Sequence, residues 1–120
     1  MDAKVYDCLI VGTGPAGYTA SIYLSRYKIS NLVIGKQPGG TITLAHKIEN
    51  YPGFKEITGM ELAGKMAEQA VGLGATIVTE GVARVEQEIS EGAEVSEVSE
   101  GKSTKSQAPN NKQIQIYARV

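Results

Sequence analysis

Gly12-Thr13-Gly14-Pro15-Ala16-Gly17 is the segment of this chain whose residue types and spacing can do chemistry. It follows the apolar run Val5–Val11 and opens a stretch with helical spacing of apolar residues. A Gly-x-Gly-x-x-Gly turn between a strand and a helix binds the pyrophosphate of a dinucleotide. Gly12 permits the tight turn, Gly14 lets phosphate oxygens approach the backbone, and Gly17 lets the helix lie close to the strand. The helix start offers unpaired N–H groups and the positive end of its dipole to an anion. Pro15 lacks an N–H, but at the first helical position that donor would go unused.

The surrounding sequence supplies the elements that must hold this turn. Val5–Val11 read as a buried strand. Residues 15–27 read as a helix with Ala16, Ala20, Tyr23, Leu24 and Tyr27 at helical spacing, and Asn31–Ile34 as a second strand that closes a βαβ unit. A long loop, 35–57, contains Gln-Pro-Gly-Gly and Asn-Tyr-Pro-Gly; loops of this length in a compact domain are functional or disordered. Thr58-Gly59-Met60-Glu61 fits a capping box opening a helix to about Val71, with Leu62, Met66 and Ala70 buried and Gly72 and Gly74 ending it. Ala75–Glu80 and Val82–Val85 read as two further strands bent at Gly81.

From Glu86 the composition shifts. Residues 86–113 form an acidic, low-complexity stretch in which Glu88, Glu91, Glu94, Glu97 and Glu100 recur every third residue, a period that suits neither helix nor strand. It reads as an insertion or a solvated hairpin tip, with no EF-hand spacing to make it a metal site. Residues 113–120 return to strand-like alternation.

Length and charge bound the rest. The 120 residues suffice for one domain, and a formal net charge of −1 gives no electrostatic case for nucleic acid or an anionic membrane. No apolar run approaches a membrane span, so the cytoplasm is the expected compartment. Cys8 is the single cysteine, expected as a buried, inert thiol, which excludes an intrachain disulfide, a Cys-x-x-Cys redox pair and a cysteine-rich metal site.

The glycine fingerprint, the loop Gln37-Pro38-Gly39-Gly40-Thr41-Ile42-Thr43, then Ile48-Glu49-Asn50-Tyr51-Pro52-Gly53-Phe54 and Ile57-Thr58-Gly59-Met60-Glu61-Leu62 occur in order. Together they resemble the N-terminal FAD-binding segment of thioredoxin reductases, within the pyridine nucleotide–disulfide oxidoreductases. The resemblance implies a Rossmann-like α/β FAD/NAD(P)-binding domain, three-layered, with a parallel sheet and a small antiparallel β-hairpin portion. It places Gly12, Thr13, Gly14, Pro15, Ala16 and Gly17 at the FAD pyrophosphate, and Gly35, Lys36 and Gln37 near the adenosine half. Gly39, Gly40, Thr41 and Ile42 would run beside the ribityl chain and flavin, Asn50 would hydrogen-bond on the flavin side, and Val82 would touch adenine. No catalytic residue and no metal ligand is implied.

Departures from the pattern bear on particular contacts. Gly35 and Lys36 stand where many FAD fingerprints carry an acid for the ribose hydroxyls. Thr41 stands where the family commonly has glutamine, and Ser21 where it has alanine; both are small polar changes the fold should tolerate. His46, the sole histidine, could relay protons near a flavin but reads as a solvent-facing loop residue, and Tyr51 could wall the flavin pocket.

By this resemblance residues 1–120 are the N-terminal part of a FAD-binding domain. The complete enzyme would be a homodimer passing electrons from NADPH through FAD to a disulfide of thioredoxin or a similar protein. The second glycine fingerprint, the NADPH domain and the redox cysteines are not in these residues, so the chain alone is expected to be inactive and to hold FAD poorly. Two other readings remain: a flavin reductase with another electron donor such as ferredoxin, and a truncated or vestigial nucleotide-binding module without catalysis.

Overall fold

The structure, a computed structural model, describes residues 4–85. The expected acidic stretch 86–113 and the strand near the end of the chain lie outside them. Strand β1 (Cys8–Val11), helix α1 (Pro15–Arg26), strand β2 (Asn31–Ile34), a short 3₁₀ turn (Gly40–Leu44), helix α2 (Gly59–Gly72) and strand β3 (Thr76–Val78) follow in order. The three strands make one parallel sheet in the order β1-β2-β3. Cys8–Val11 pair with Asn31–Ile34, and Leu32–Ile34 pair with Thr76–Val78.

Both helices lie on one face, because a single apolar cluster joins Tyr18 of α1, Val33 of β2, Ile57, and Leu62 and Met66 of α2. Ile10, Ile42, Ile48, Phe54 and Ile77 pack around it. The described residues thus supply two layers of the expected three, sheet and helices. Their antiparallel pairing is the Ile48–Ile57 bridge rather than a hairpin of two strands, and residues 82–85 form no strand. β1 is also shorter than the apolar run: Asp7 spends its polar groups on Ser30, accepting from its N–H at 3.1 Å and its hydroxyl at 2.6 Å. That local exchange fastens the start of β1 to the start of β2, and ladder pairing begins one residue later.

The buried face of α1 differs most from the apolar spacing. Tyr23 and Tyr27 are 63 % and 76 % exposed, whereas Tyr18, Ser21 and Ser25 are buried. The reason is a polar partner on the sheet. Buried Asn31 accepts from the Ser21 hydroxyl at 2.5 Å and donates to Ser25 Oγ at 2.9 Å and to the Ile29 carbonyl at 3.1 Å. A closed network of this kind is affordable in a core because every member is satisfied. Ser21 is therefore a structural tie rather than a tolerated substitution.

The ends of the helices follow one rule with different residues. In α1 the N–H of Lys28 bonds the Ser25 carbonyl and that of Ile29 the Leu24 carbonyl; in α2 Gly74 bonds Val71 and Ala75 bonds Ala70. Both are Schellman closures, which need a left-handed residue after the cap. Gly74 meets that need at φ 104°, while Lys28 adopts φ 62° despite its side chain.

Candidate functional site

The site is assembled at the carboxyl ends of β1 and β2. Gly12 turns the chain at φ 124°, and its N–H bonds the Ile34 carbonyl at 2.7 Å, so the turn is fixed to the neighbouring strand. A Cβ on Gly17 would run into the Gly12 carbonyl, which shows how closely α1 lies on the turn. Gly14 caps the helix with extended backbone (φ −88°, ψ −177°), and no side chain caps the start. The first-turn N–H groups have no partner within a helix, and no acidic residue occupies that turn. A Cβ on Gly12 would meet nothing within 4 Å and one on Gly14 only the Gly39 carbonyl at 3.9 Å, so both glycines border open space.

The second glycine cluster is laid over the first. Gln37-Pro38-Gly39-Gly40 forms a type II turn: Gly39 takes φ 82° and ψ −16°, and the Gly40 N–H closes on the Gln37 carbonyl at 3.0 Å. Buried Thr13 donates its hydroxyl to that same carbonyl at 2.7 Å, and the Tyr18 hydroxyl accepts from the Gly39 N–H at 3.2 Å. A Cβ on Gly40 would stand 3.1 Å from Gly14 Cα. On its other side the turn rests against α2, where a Cβ on Gly39 would come within 2.9 Å of Ala63 Cβ. The long loop is built from hydrogen-bonded turns, and a second Pro-Gly turn, Tyr51-Pro52-Gly53-Phe54, repeats the device between the bridged Ile48 and Ile57.

The remaining candidate residues divide. Thr13 turns its side chain inward, leaving its backbone as the part that can face a ligand. Gly35 approaches Thr13 so closely that a Cβ there would lie 2.7 Å from Thr13 N and against its hydroxyl, which accounts sterically for the missing acid at that position. Lys36, Gln37 and Thr41 are exposed, Ile42 is half-buried beside the core, Asn50 is exposed and Val82 is half-buried beyond β3. Among the described residues no hydrogen bond ties Asn50 or Val82 to the glycine clusters. His46 is exposed and Cys8 half-buried. A shallow depression of about 340 Å³ lies between Tyr18, Pro38, Gly39 and Thr43 on one side and Met60, Ala63, Gly64 and Ala67 of α2 on the other. It flanks the turn rather than the helix start. Among the described residues no group of His, Cys, Asp and Glu could hold a metal, and no helix is long and apolar enough to cross a membrane.

The fold has its counterpart in known proteins. The family model of pyridine nucleotide-disulphide oxidoreductases matches residues 6–117. The chain belongs to that family. Within it the likeness is to thioredoxin reductases. The enzyme of Bacillus subtilis is 48 % identical over 75 residues, covering 62 % of this chain and 24 % of the relative. That of Mycolicibacterium smegmatis is 48 % identical over 86 residues, covering 70 % of this chain and 28 % of its own length. The crystal structure of Lactococcus lactis thioredoxin reductase superposes with a TM-score of 0.65 at 42 % identity, over 69 % of this chain and 28 % of that one. The Streptococcus pyogenes enzyme gives 0.67 at 36 % identity, over 77 % and 32 %. The chain thus spans about a quarter of the length of the curated relatives it matches. The Rossmann-like architecture expected for the family is the one observed.

Sequence reasoning placed Thr13 at the pyrophosphate but missed the bond its side chain makes to Gln37, and it missed Tyr18 altogether. A signal existed. The middle N–H of a type II Pro-Gly turn is left without a partner by the turn itself, and a buried tyrosine hydroxyl needs one.

Proposed function

We propose that residues 4–85 form the FAD pyrophosphate cradle of a thioredoxin-reductase-like flavoprotein. One observation carries the reading: the start of α1 is left uncapped by Gly14 beside open space, and the glycine turn Gln37–Gly40 is pinned next to it. The donor set suits a diphosphate, since the N–H groups of Ala16 and Gly17 and the helix dipole favour two linked anionic groups. Gly39, Gly40, Thr41 and Ile42 would continue along the ribityl chain and flavin, with Gly35, Lys36 and Gln37 on the adenosine side; Asn50 and Val82 would complete the contacts.

Bound FAD supplies two-electron transfer between a reduced nicotinamide and a protein disulfide. The described residues bind and orient the cofactor, and none of them acts on the substrate. The single Cys8 cannot form a disulfide within the chain, so the reducible pair, the NADPH site and the docking of thioredoxin belong to other residues of the complete enzyme, a cytoplasmic homodimer in this reading.

Titration of the isotopically labelled 120-residue chain with FAD, followed by amide NMR, tests the assignment. Saturable shifts centred on Ala16, Gly17, Gly39 and Gly40 are expected. Shifts that leave residues 12–17 untouched at saturation would refute it.

A further inference from the structure

We propose that Thr13 and Tyr18 are positioning residues that preform the cofactor cleft by pinning the Gln37–Gly40 turn over the start of α1; the inference rests on the FAD reading above. The turn presents two polar groups toward α1 that its own geometry cannot fully use. Its first carbonyl, of Gln37, has a lone pair left after accepting from Gly40, and the Thr13 hydroxyl fills it at 2.7 Å. Its middle N–H, of Gly39, points out of the turn and meets the Tyr18 hydroxyl at 3.2 Å. Both pins are buried, Thr13 at 3 % and Tyr18 at 2 % exposure, so water cannot substitute for either. Thr13 lies within the glycine fingerprint, and Tyr18 follows it directly in α1. Residues interleaved with those that open the helix start therefore set where the second cluster sits.

The two pins divide the work. Thr13 holds the Gln37 end, on the side assigned to adenosine. Tyr18 holds Gly39, whose neighbours Gly40, Thr41 and Ile42 are assigned to the ribityl chain and flavin. The tyrosine ring is also a core residue, but its oxygen has this separate task. Removing the oxygen alone keeps the ring in the core and strands a buried N–H.

The test compares FAD with ADP, which carries the pyrophosphate and adenosine but no ribityl or flavin. In the full chain, Tyr18→Phe should weaken FAD binding by about ten-fold or more, the effect of one buried donor left unpaired. ADP affinity should stay within about two-fold of the unaltered chain, because the donor lost lies outside its footprint. Amide hydrogen exchange should quicken at Gly39, while Gly59, whose N–H bonds the Ala45 carbonyl at 2.8 Å, keeps its protection. Thr13→Val should weaken both ligands, and Thr13→Ser, which keeps the hydroxyl, should restore both.

Equal loss of FAD and ADP affinity in Tyr18→Phe, with exchange quickened throughout, would reduce Tyr18 to a packing residue and overturn its positioning role. An unchanged FAD titration in that variant would do the same. If the unaltered chain binds neither FAD nor ADP, the FAD reading falls and the positioning role falls with it. That result is distinguished from the others before any variant is made.

Discussion

The two helices begin in opposite ways. At α2 the Thr58 hydroxyl accepts from the Glu61 N–H at 3.2 Å while Glu61 Oε2 accepts from the Thr58 N–H at 3.2 Å and its hydroxyl at 2.9 Å. That helix start is closed by its own capping box, and its Gly59 N–H is taken by the Ala45 carbonyl. At α1 the cap is a glycine without a side chain, followed by a proline and no acid. In one small fold, then, one helix start is closed by side chains and the other is left open, where the proposed function puts the diphosphate. The difference lies in two side chains, Thr58 and Glu61, where α1 has Gly14 and Gly17.

The largest expected effect comes from closing the gap beneath the open start. Gly17→Ala would set a methyl group against the Gly12 carbonyl, which is backbone and cannot rotate away. Overpacking of about 3 kcal/mol should outweigh the ~1 kcal/mol that alanine gains in helix propensity, and denaturant unfolding would show it. A stable Gly17→Ala chain would mean that α1 does not lie where the structure puts it.

Gly14→Asp should do something different. A Cβ there meets only the Gly39 carbonyl at 3.9 Å, and aspartate is a good N-cap. Stability should stay within about 0.5 kcal/mol, or rise slightly, while FAD binding is abolished by a carboxylate at the phosphate position. Loss of fold together with binding would erase the contrast between the two helix starts.

At α2 the opposite change should separate the properties the other way. Thr58→Ala should lower stability by about 1 kcal/mol and leave FAD titration unaltered. Hydrogen bonds from Thr58 hold the exposed Glu61 carboxyl below its usual range, as those from Ser30 do for Asp7. A lowered folded-state pKa adds stability at neutral pH, and this is lost as pH falls through that value. Stability against pH should therefore show the gap between Thr58→Ala and the unaltered chain narrowing in acid. The smallest effect is expected at the helix ends. Lys28→Gly should add about 0.5 kcal/mol by relieving a side chain at positive φ, a change readable in the melting temperature.

How much of this could be read from residues alone follows the same division. Features set by local chemistry were legible: the glycine fingerprint with Pro15, the capping box at Thr58 and Glu61, and strand β2 to the residue. Features set by a distant partner were not. The residues at helical spacing in α1, Ala16, Ala20, Tyr23, Leu24 and Tyr27, do not mark its buried face, because nothing in the helix announces that Asn31 waits on the sheet for Ser21 and Ser25. The strand expected at 82–85 had suitable residues, but sheet pairing is a property of the neighbour as much as of the segment. For the candidate site, both glycine clusters were visible, whereas their superposition was not. It depends on two hydroxyls whose targets are carried by another loop.

The crowding between Gly35 and Thr13 restricts how this edge could ever be redesigned. Trimming Thr13 would remove its hydroxyl and methyl from the path of a Cβ at 35, yet the Thr13 backbone nitrogen would still stand 2.7 Å away. No sequence of single replacements can install a ribose-binding carboxylate there without moving the chain. If the proposed site holds a nucleotide, tuning of its preference would instead go through the exposed positions 36 and 37, just outside the locked corner.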